Sequence, residues 1–285
     1  MAPTVTSSPR QAPLFVATDI DGTLLDSRDR VRPRVRSVIA RMIRSGVPLA
    51  LATGRPARWM SPVLEQLPVA PMCVCSNGAV VYDASTDSVV SHTCLTPQVL
   101  HEVVLRARAE MVRQGHPEVG IAVERPGVSG SDPIHELFVV TESYYHAWDS
   151  NEHGVSSEDD VLGEQATKLL LSHPGWTSAE LYDVVAPAIP QELAHVTFSV
   201  PDGLLEVSAP GVTKCHGLVD LAEQVGAGPA DVVCFGDMPN DIEMLRWAGL
   251  GVAMGNARPE VQASADEVTA SNDEDGIAEI LERWF

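Results

Sequence analysis

The chain has 285 residues, of which 45% are hydrophobic and 20% are charged. This composition is ordinary for a globular protein with a buried core, and the length fits either one large α/β domain or a core that carries a second module. Lys and Arg total 19 against 39 Asp and Glu, a formal net charge of -20. Because that charge opposes non-specific binding to nucleic acid or anionic lipid, we expect neither nucleic acid nor a membrane as a partner.

The chain ends and the cysteines also limit the possibilities. Residues 1–12 are rich in Pro, Ser and Thr and are predicted to form a mobile tail. No stretch resembles a signal peptide or a membrane span, so we expect a cytoplasmic protein. The five cysteines are an odd number without a C-x-x-C pair, which disfavours a disulfide framework and a zinc site. Nothing in the sequence indicates an oligomeric state.

The first third of the chain has the pattern of an α/β fold. The apolar run LFVATDI at 14–20 predicts a buried strand that ends in an acidic loop. Apolar residues at helical spacing predict a helix over 33–45, ended by Gly46, and VPLALAT at 47–53 predicts the next strand. A helix near 58–66, a strand over 72–76 and a turn at Asn77 follow. Parallel strands joined in this way place ligands at their carboxyl ends.

From about residue 84 to about residue 200 the pattern changes and no residue cluster has an obvious chemical spacing. Helices are predicted over 97–114 and 178–189, strands over 121–124, 136–140 and 195–200, and an exposed loop over 150–160. After residue 203 the α/β pattern returns, with a Lys-bearing helix at 213–225 and a strand at 231–237 that again ends in Asp. We therefore predict a tail over 1–12, a catalytic core formed by 13–83 and 201–285, and an inserted cap over 84–200.

Two carboxylates, Asp19 and Asp21, follow the first strand two residues apart. A calcium-binding EF-hand is the natural alternative, but it requires Asp or Asn at 23, Gly at 24 and Glu at 30. The sequence has Thr23, Leu24 and Arg30 instead, so this alternative fails. A purely structural pair of buried aspartates is the other alternative, and it is disfavoured because burying unpaired carboxylates is costly.

Four motifs in order resemble those of the haloacid dehalogenase-like phosphatases, particularly their Cof-type branch. They are DIDGTLL at 19–25, TGR at 53–55, Lys214, and GDMPNDIEML at 236–245. The lesser signatures SNGA at 76–79, VAMGNA at 252–257 and SNDEDGIAEIL at 271–281 resemble that branch as well. The resemblance covers residues 13–83 and 201–285, while the middle segment matches as an insertion in the right place. It implies a Rossmann-like α/β core with a parallel sheet and an inserted α+β cap of the C2 type.

The resemblance also implies roles for individual residues. Asp19 would be the nucleophile that forms an aspartyl-phosphate, and Asp21 would be the general acid and then the general base. Thr53 and the backbone N–H of Gly54 would hold phosphoryl oxygens, and Lys214 would bridge Asp19 and the phosphoryl group. Asn240 would add a hydrogen bond to phosphate. For Arg55 and Asn77 two interpretations stay open, since either residue could contact substrate or brace its loop.

A magnesium ion is expected, because two carboxylates would otherwise repel a phosphate dianion and Mg²⁺ prefers oxygen ligands. By resemblance the ligands are a carboxylate oxygen of Asp19, the backbone carbonyl of Asp21, and Asp237, with Asp241 bound directly or through water. Helix capping is the alternative role for Asp237 and Asp241, although their spacing of four residues suits it less well. The sequence departs from the branch at two places: Met238-Pro239 stands where Gly and a variable residue are common, and Cys215 stands where Gly commonly follows the lysine. Neither position carries a catalytic side chain, so the departures concern only the shape of the loops.

These features predict a magnesium-dependent phosphomonoester hydrolase whose partner is a small-molecule phosphate ester. Sugar phosphates are the first expected class, followed by flavin mononucleotide, pyridoxal phosphate or a phosphorylated polyol. We expect the cap to select the leaving group. Two alternatives remain: a phosphomannomutase-like phosphotransferase, and a catalytically silent binding protein on the same fold. The presence of Asp19, Asp21, Thr53, Lys214, Asp237 and Asp241 together argues against the silent protein.

Overall fold

The computed structural model describes residues 11–146 and 153–285. The first ten residues of the predicted tail, and residues 150–152 of the predicted loop, lie outside the described residues. The described strands are, in chain order, β1 (Phe15–Thr18), β2 (Leu49–Ala52), β3 (Met72–Cys75), β4 (Val80–Asp83), β5 (Ser88–His92), β6 (Gly120–Glu124), β7 (Phe138–Val140), β8 (Gly154–Val155), β9 (Lys168–Ser172), β10 (His195–Thr197), β11 (Leu204–Ser208), β12 (Val232–Gly236), β13 (Leu250–Ala253) and β14 (Glu267–Val268).

The described α-helices vary from single turns to five turns. They are, in chain order, α1 (Pro33–Arg44), α2 (Ser61–Leu64), α3 (Pro97–Arg113), α4 (Ile134–Leu137), α5 (Glu158–Leu162), α6 (Ser178–Val185), α7 (Lys214–Gln224), α8 (Ile242–Trp247), α9 (Pro259–Gln262) and α10 (Gly276–Leu281). In the two described ranges, 11–146 and 153–285, no helix is both long enough and apolar enough to cross a lipid bilayer.

The strands of the described residues form two sheets. The large sheet has the order β14-β13-β12-β1-β2-β3-β4-β5, and its strands run parallel from β14 to β3 and antiparallel from β3 to β5. The chain moves from β1 outward to β2 on one side and returns later to β12 on the other. The strand order therefore reverses between β1 and β12, and an open α/β sheet binds its ligands at the carboxyl ends beside such a reversal.

The small sheet has the order β10-β11-β9-β6-β7-β8 and is antiparallel except for the last pair. Alternate residues of its strands point to opposite faces. On one face Leu169, Leu171 and Leu205 pack with helices α3 and α6 in a single buried cluster. On the other face lie Lys168, Leu170 and Glu206, which turn toward the large sheet. The predicted α/β core with an inserted α+β module is therefore confirmed.

The predicted limits of the insertion, 84 and 200, need correction at both ends. Residues Ser88–His92 still belong to the large sheet, because β5 pairs with β4 in a hairpin. Strand Leu204–Ser208 belongs to the small sheet, because β11 pairs with β9 and β10. The run LLEVS has the apolar character of a core strand, and a short apolar run cannot reveal which sheet it joins.

The exposed loop predicted over 150–160 is also wrong in its described part. Gly154–Val155 pairs with β7, and α5 begins directly after Ser157. The Ser157 hydroxyl accepts a hydrogen bond from the backbone N–H of Asp160, and three acidic residues occupy the first turn. A serine cap followed by acidic residues is a helix-start signal, which the polar composition of the segment concealed.

Helix α3 offers a matched test of how the cap is packed. Leu100 is fully buried and Leu105 is 65% exposed on the same helix. We expect Leu100→Ala to lower the free energy of unfolding by about 2–5 kcal/mol, because it leaves a cavity. Leu105→Ala should change it by less than about 0.5 kcal/mol. Urea denaturation followed by circular dichroism measures both values, and equal losses would contradict this packing.

Candidate active site

The predicted catalytic residues lie at the carboxyl ends of neighbouring strands in the large sheet. Asp19 directly follows β1, and Asp237 directly follows β12, which pairs with β1 in parallel register. Thr53 follows β2, and Ser76 follows β3. Lys214 is the first residue of α7, whose N-terminus is capped by the Thr213 hydroxyl. The topology thus brings side chains that are distant in sequence to one edge of the sheet.

Lys214 forms a buried ionic bridge between two aspartates. Its ammonium donates to Oδ1 of Asp19 at 2.6 Å and to Oδ1 of Asp241 at 2.7 Å. All three residues are buried, with relative exposures of 2%, 4% and 0%. Burial lowers the pKa of Lys214, but the charges of Asp19 and Asp241 raise it by more, so the net pKa is raised and the ammonium stays protonated.

Asp241 has two functions at once. Its Oδ2 accepts hydrogen bonds from the backbone N–H groups of Asp237 and Met238, at 3.0 and 2.9 Å. Its Oδ1 accepts from Lys214. The capping role considered for Asp241 is therefore real, and it fixes the loop that carries Asp237 while the other oxygen faces the site.

Three carboxylates meet at one point and could hold a cation. Ligand oxygens of Asp19, Asp237 and Asp241 all lie within 4.8 Å of one another, and all three side chains are buried. The Thr23 hydroxyl donates to Oδ1 of Asp237 at 3.1 Å and orients it. Gly22 has a positive φ of 79°, and a Cβ there would lie 2.4 Å from Oδ2 of Asp237. Only glycine therefore allows the first loop to approach this carboxylate so closely.

The electrostatics of this cluster favour a bound cation. Burial raises the pKa of Asp19 well above its usual value, with Lys214 opposing the rise and the other aspartates adding to it. Burial and the charge of Asp241 likewise raise the pKa of Asp237 to about 7. One ammonium does not balance three closely spaced carboxylates, and a divalent ion with oxygen ligands fits this surplus of negative charge.

Asp21 lies at the edge of the cluster and is paired with an arginine. The Arg55 guanidinium donates from Nε to Oδ2 of Asp21 at 2.8 Å and from a terminal nitrogen to Oδ1 at 2.5 Å. The Asp21 side chain is 53% exposed, in contrast to Asp19. Arg55 thus contacts a predicted catalytic residue, which was neither of the two roles considered for it.

The loops after β2 and β3 support each other around the site. The backbone N–H of Asn77 donates to the carbonyl of Thr53, and that of Ser76 to the carbonyl of Arg55, both at 2.9 Å. The Thr53 hydroxyl is buried and accepts from the N–H of Arg55 at 3.1 Å. Asn240 donates to Oδ1 of Asn77 at 3.0 Å. Asn77 therefore braces the loops, and the nine predicted site residues other than Asp19 all lie in this region.

Two site residues from the small sheet were missed by sequence reasoning. The Lys168 ammonium donates to the carbonyl of Gly54 and to Oε2 of Glu206, both at 2.6 Å. Glu206 also accepts from Asn77 at 2.8 Å and from the Ser199 hydroxyl. Burial raises the pKa of Glu206, but the charge and hydrogen bond of Lys168 lower it by more, so the net pKa is lowered.

A signal for Lys168 was present in the composition. The chain has only two lysines, Lys168 and Lys214, and every other basic residue among its 19 is arginine. Both lysines are buried at this site, with relative exposures of 6% and 2%. A second ion pair, between Arg58 and Glu124, also joins the loop after β2 to the small sheet and is almost fully buried.

A cavity of about 550 Å³ lies between the two sheets, within the range of roughly 300–1,000 Å³ typical of small-molecule sites. Asp19, Asp21 and Lys214 line one part of it. The small sheet contributes charged residues and also apolar ones. The remaining lining includes Arg55, Arg58, Trp59, Ser76, Glu124, Ile134, Phe138, Lys168, Leu170, Ser199, Val200, Leu204, Glu206 and Asn240.

Comparisons with a family model, with related sequences and with solved structures all point to one protein family. The sequence model of the haloacid dehalogenase-like hydrolases matches residues 16–281. A 5-amino-6-(5-phospho-D-ribitylamino)uracil phosphatase of Bacillus subtilis is 28% identical over 286 residues, covering 96% of this chain and 98% of the relative. An HMP-PP phosphatase of Cronobacter sakazakii is 28% identical over 271 residues, covering 94% of each chain.

Among solved structures, a haloacid dehalogenase-like hydrolase from Bacteroides thetaiotaomicron matches with a TM-score of 0.71 and 26% sequence identity. The match covers 96% of this chain and all of that one. The similarity therefore extends over both sheets and includes the inserted module.

The two buried lysines allow the contact between the sheets to be tested by chemical labelling. We expect reductive methylation of Lys168 to be slow in the native protein and at least about tenfold faster in Glu206→Gln, because losing one partner of a buried ion pair leaves an uncompensated charge and favours exposure of the lysine. Mass spectrometry of the labelled peptides measures the rate. Glu102→Gln, which removes an exposed pair with Arg106 on α3, is the control, and equal labelling of Lys168 in both variants would contradict the interpretation.

Proposed function

We propose that this chain, which belongs to the haloacid dehalogenase-like hydrolases and is a phosphatase, hydrolyses small phosphate monoesters. The reaction uses Mg²⁺ and proceeds through an aspartyl-phosphate on Asp19. One observation carries the proposal: the buried Lys214 bridge joins Asp19 to Asp241, beside Asp237, at the point where the strand order reverses. A nucleophilic carboxylate, a fixed ammonium and a cation-binding cluster are the groups that phosphoryl transfer requires.

In the first step an Asp19 carboxylate oxygen attacks phosphorus, and the bond between phosphorus and the ester oxygen breaks. Asp21 donates a proton to the departing alkoxide. In the second step the Asp21 carboxylate takes a proton from water as the water oxygen attacks phosphorus. The bond from phosphorus to Asp19 then breaks and releases inorganic phosphate. Lys214 neutralises charge on the phosphoryl oxygens, and Thr53, the Gly54 N–H and Asn240 orient them.

The metal ion would be held by the side chains of Asp19, Asp237 and Asp241 and by the backbone carbonyl of Asp21. When bound, it supplies positive charge that lets a phosphate dianion approach the carboxylates. Arg55 pairs with Asp21, and we propose that this pairing holds the Asp21 carboxyl group at the edge of the cavity, facing the ester oxygen.

For the substrate, we propose a small phosphorylated metabolite selected by the inserted module. The sequence favours sugar phosphates. The Bacillus subtilis relative is named for a substrate that carries its phosphate on a ribityl chain, so phosphorylated sugars and polyols form the class we propose. Residues from about 93 to about 208 would make this selection, since the small sheet covers the cavity.

The nucleophile is tested by Asp19→Asn. We expect release of inorganic phosphate from p-nitrophenyl phosphate to fall by at least about 10³-fold, because an amide oxygen is a poor nucleophile. Catalytic residues that act as a unit also depend on one another, so removing one of them removes most of the rate acceleration. Asp220→Asn, an exposed position on α7, is the matched control and should retain activity. Turnover in Asp19→Asn, or conversion of a hexose 1-phosphate to its 6-phosphate without phosphate release, would contradict the proposal.

The metal is tested by chelation, with a readout that does not depend on activity. EDTA should abolish phosphate release and lower the unfolding temperature, and Mg²⁺ should restore both, since a ligand at 100 times its dissociation constant adds about 2.7 kcal/mol of stability. Asp237→Asn should remove the Mg²⁺-dependent rise in unfolding temperature. If EDTA and Mg²⁺ leave wild type unchanged in both measurements, the magnesium site is wrong.

A further inference from the structure

The inserted module reaches the loops at the carboxyl edge of the large sheet through a buried ion pair, Lys168 with Glu206. The two side chains lie on the neighbouring strands β9 and β11 and are only 8% and 5% exposed. We infer that this pair is a positioning element of the phosphate site, which sets the orientation of the Gly54 peptide and of the Asn77 and Asn240 amides. The inference rests on the proposed phosphatase function, and it concerns the phosphoryl group and not the leaving group.

Lys168 acts on the loop after β2 through the backbone. Its ammonium donates to the Gly54 carbonyl at 2.6 Å, and the backbone N–H of Asn77 donates to the preceding carbonyl, that of Thr53, at 2.9 Å. The Thr53 carbonyl and the Gly54 N–H belong to one planar peptide unit. The two hydrogen bonds therefore hold the peptide planes on both sides of Gly54, and they set the direction of the Gly54 N–H that is proposed to meet a phosphoryl oxygen.

The Glu206 carboxylate sets the direction of a chain of side-chain hydrogen bonds. An ionised carboxylate only accepts, so the Asn77 side chain turns its amide nitrogen toward Glu206, at 2.8 Å. The Asn77 Oδ1 then faces Asn240, whose amide nitrogen donates to it at 3.0 Å. A second N–H on that nitrogen remains for a phosphoryl oxygen. Without an acceptor at position 206 both amides are free to turn over, and an amide oxygen would repel a phosphoryl dianion.

Lys168 keeps the Glu206 carboxylate ionised although it is buried. Burial raises the pKa of Glu206, but the charge and hydrogen bond of Lys168 lower it by more, so the net pKa is lowered. The Ser199 hydroxyl donates to the other carboxylate oxygen. Because the carboxylate compensates the ammonium in turn, the pair brings no net charge to the phosphate-binding loops. Its contribution is therefore the direction of the donors.

This role has a consequence that separates it from substrate selection. A side chain that selects the leaving group changes the relative rates of different esters and does not affect a ligand without a leaving group. A side chain that orients the phosphate-binding donors also affects inorganic phosphate, because every donor it orients acts on the phosphoryl oxygens. The inhibition constant of inorganic phosphate, measured against hydrolysis of p-nitrophenyl phosphate with Mg²⁺ present, distinguishes the two roles.

A double variant, Lys168→Met with Glu206→Leu, removes the pair without leaving a buried charge. Replacing a buried ion pair by apolar residues of similar volume is often neutral or stabilising, so we expect its unfolding temperature to stay close to that of wild type. The inhibition constant of phosphate should nevertheless rise by at least about tenfold, because misplaced donors lose most of their effect. A purely structural pair would leave this constant unchanged once the protein is folded.

Glu206→Gln keeps the shape of the side chain, so the test does not depend on folding of the double variant. Its amide donates as well as accepts and relaxes the orientation of Asn77, and we expect the inhibition constant of phosphate to rise by about threefold or more. Arg108→Met with Glu158→Leu is the matched control, since it removes an ion pair between α3 and α5 of the same module and should leave the constant unchanged. An unchanged constant in either folded variant at Glu206 would overturn the inference, even if kcat/KM for an ester falls.

The positioning role and the phosphatase mechanism fail in different ways. Phosphate binding is also measured without turnover, as the rise in unfolding temperature that inorganic phosphate causes at a fixed Mg²⁺ concentration. If wild type hydrolyses p-nitrophenyl phosphate and the variants bind phosphate as tightly as wild type, the positioning role is wrong and the mechanism stands. If wild type with Mg²⁺ neither hydrolyses p-nitrophenyl phosphate nor is stabilised by phosphate, the mechanism is wrong and the inference is wrong with it.

Discussion

The buried ammonium of Lys214 is the constraint on which the site depends. Its partners come from two parts of the chain far apart in sequence, Asp19 after β1 and Asp241 before α8. Removing one partner of a buried pair leaves an uncompensated charge and is strongly destabilising. The bridge therefore ties the loop after β1 to the loop after β12 at the carboxyl ends of these two strands. Lys214 pairs with Asp19 and Asp241 but not with Asp237, so negative charge remains in excess at the cluster. The arrangement that stabilises the loops therefore also forms a site that could bind a cation.

The inserted module uses a second lysine in a related way. Lys168 pairs with Glu206 within the small sheet and reaches the Gly54 carbonyl on the large one. A lysine presents a compact charge on a flexible stem, so it fits between closely spaced oxygens, whereas the planar fork of arginine suits a bidentate pair such as Arg55 with Asp21. This difference explains why a chain that otherwise relies on arginine places its two lysines at these positions.

The large sheet and its loops were predictable because each signal is local. Continuous apolar runs predict the strands before Asp19 and Asp237, and apolar residues at helical spacing predict the helix after Pro33. The carboxyl ends of parallel strands in one sheet lie at the same edge, so the residues that follow these strands are expected to lie together. Lys168 and Glu206 were not predictable in this way, since each occupies an ordinary strand and its partner depends on how one sheet packs on the other. The limits of the insertion failed for the same reason: LLEVS has the pattern of a buried strand in either sheet, and only its pairing with β9 decides.

The proposed selection of substrate by the small sheet would depend on strand register, because the alternation of β9 and β11 sets which side chains face the cavity. Leu169, Leu171 and Leu205 are fully buried against the helices of the small sheet. A shift of one residue would move them to the cavity and carry Lys168 and Glu206 to the opposite face. The hydrophobic core of the module therefore determines which side chains of the small sheet line the cavity. Because that wall contacts Gly54 and Asn77, the proposed recognition of the leaving group would be coupled to the loops that we propose hold the phosphate.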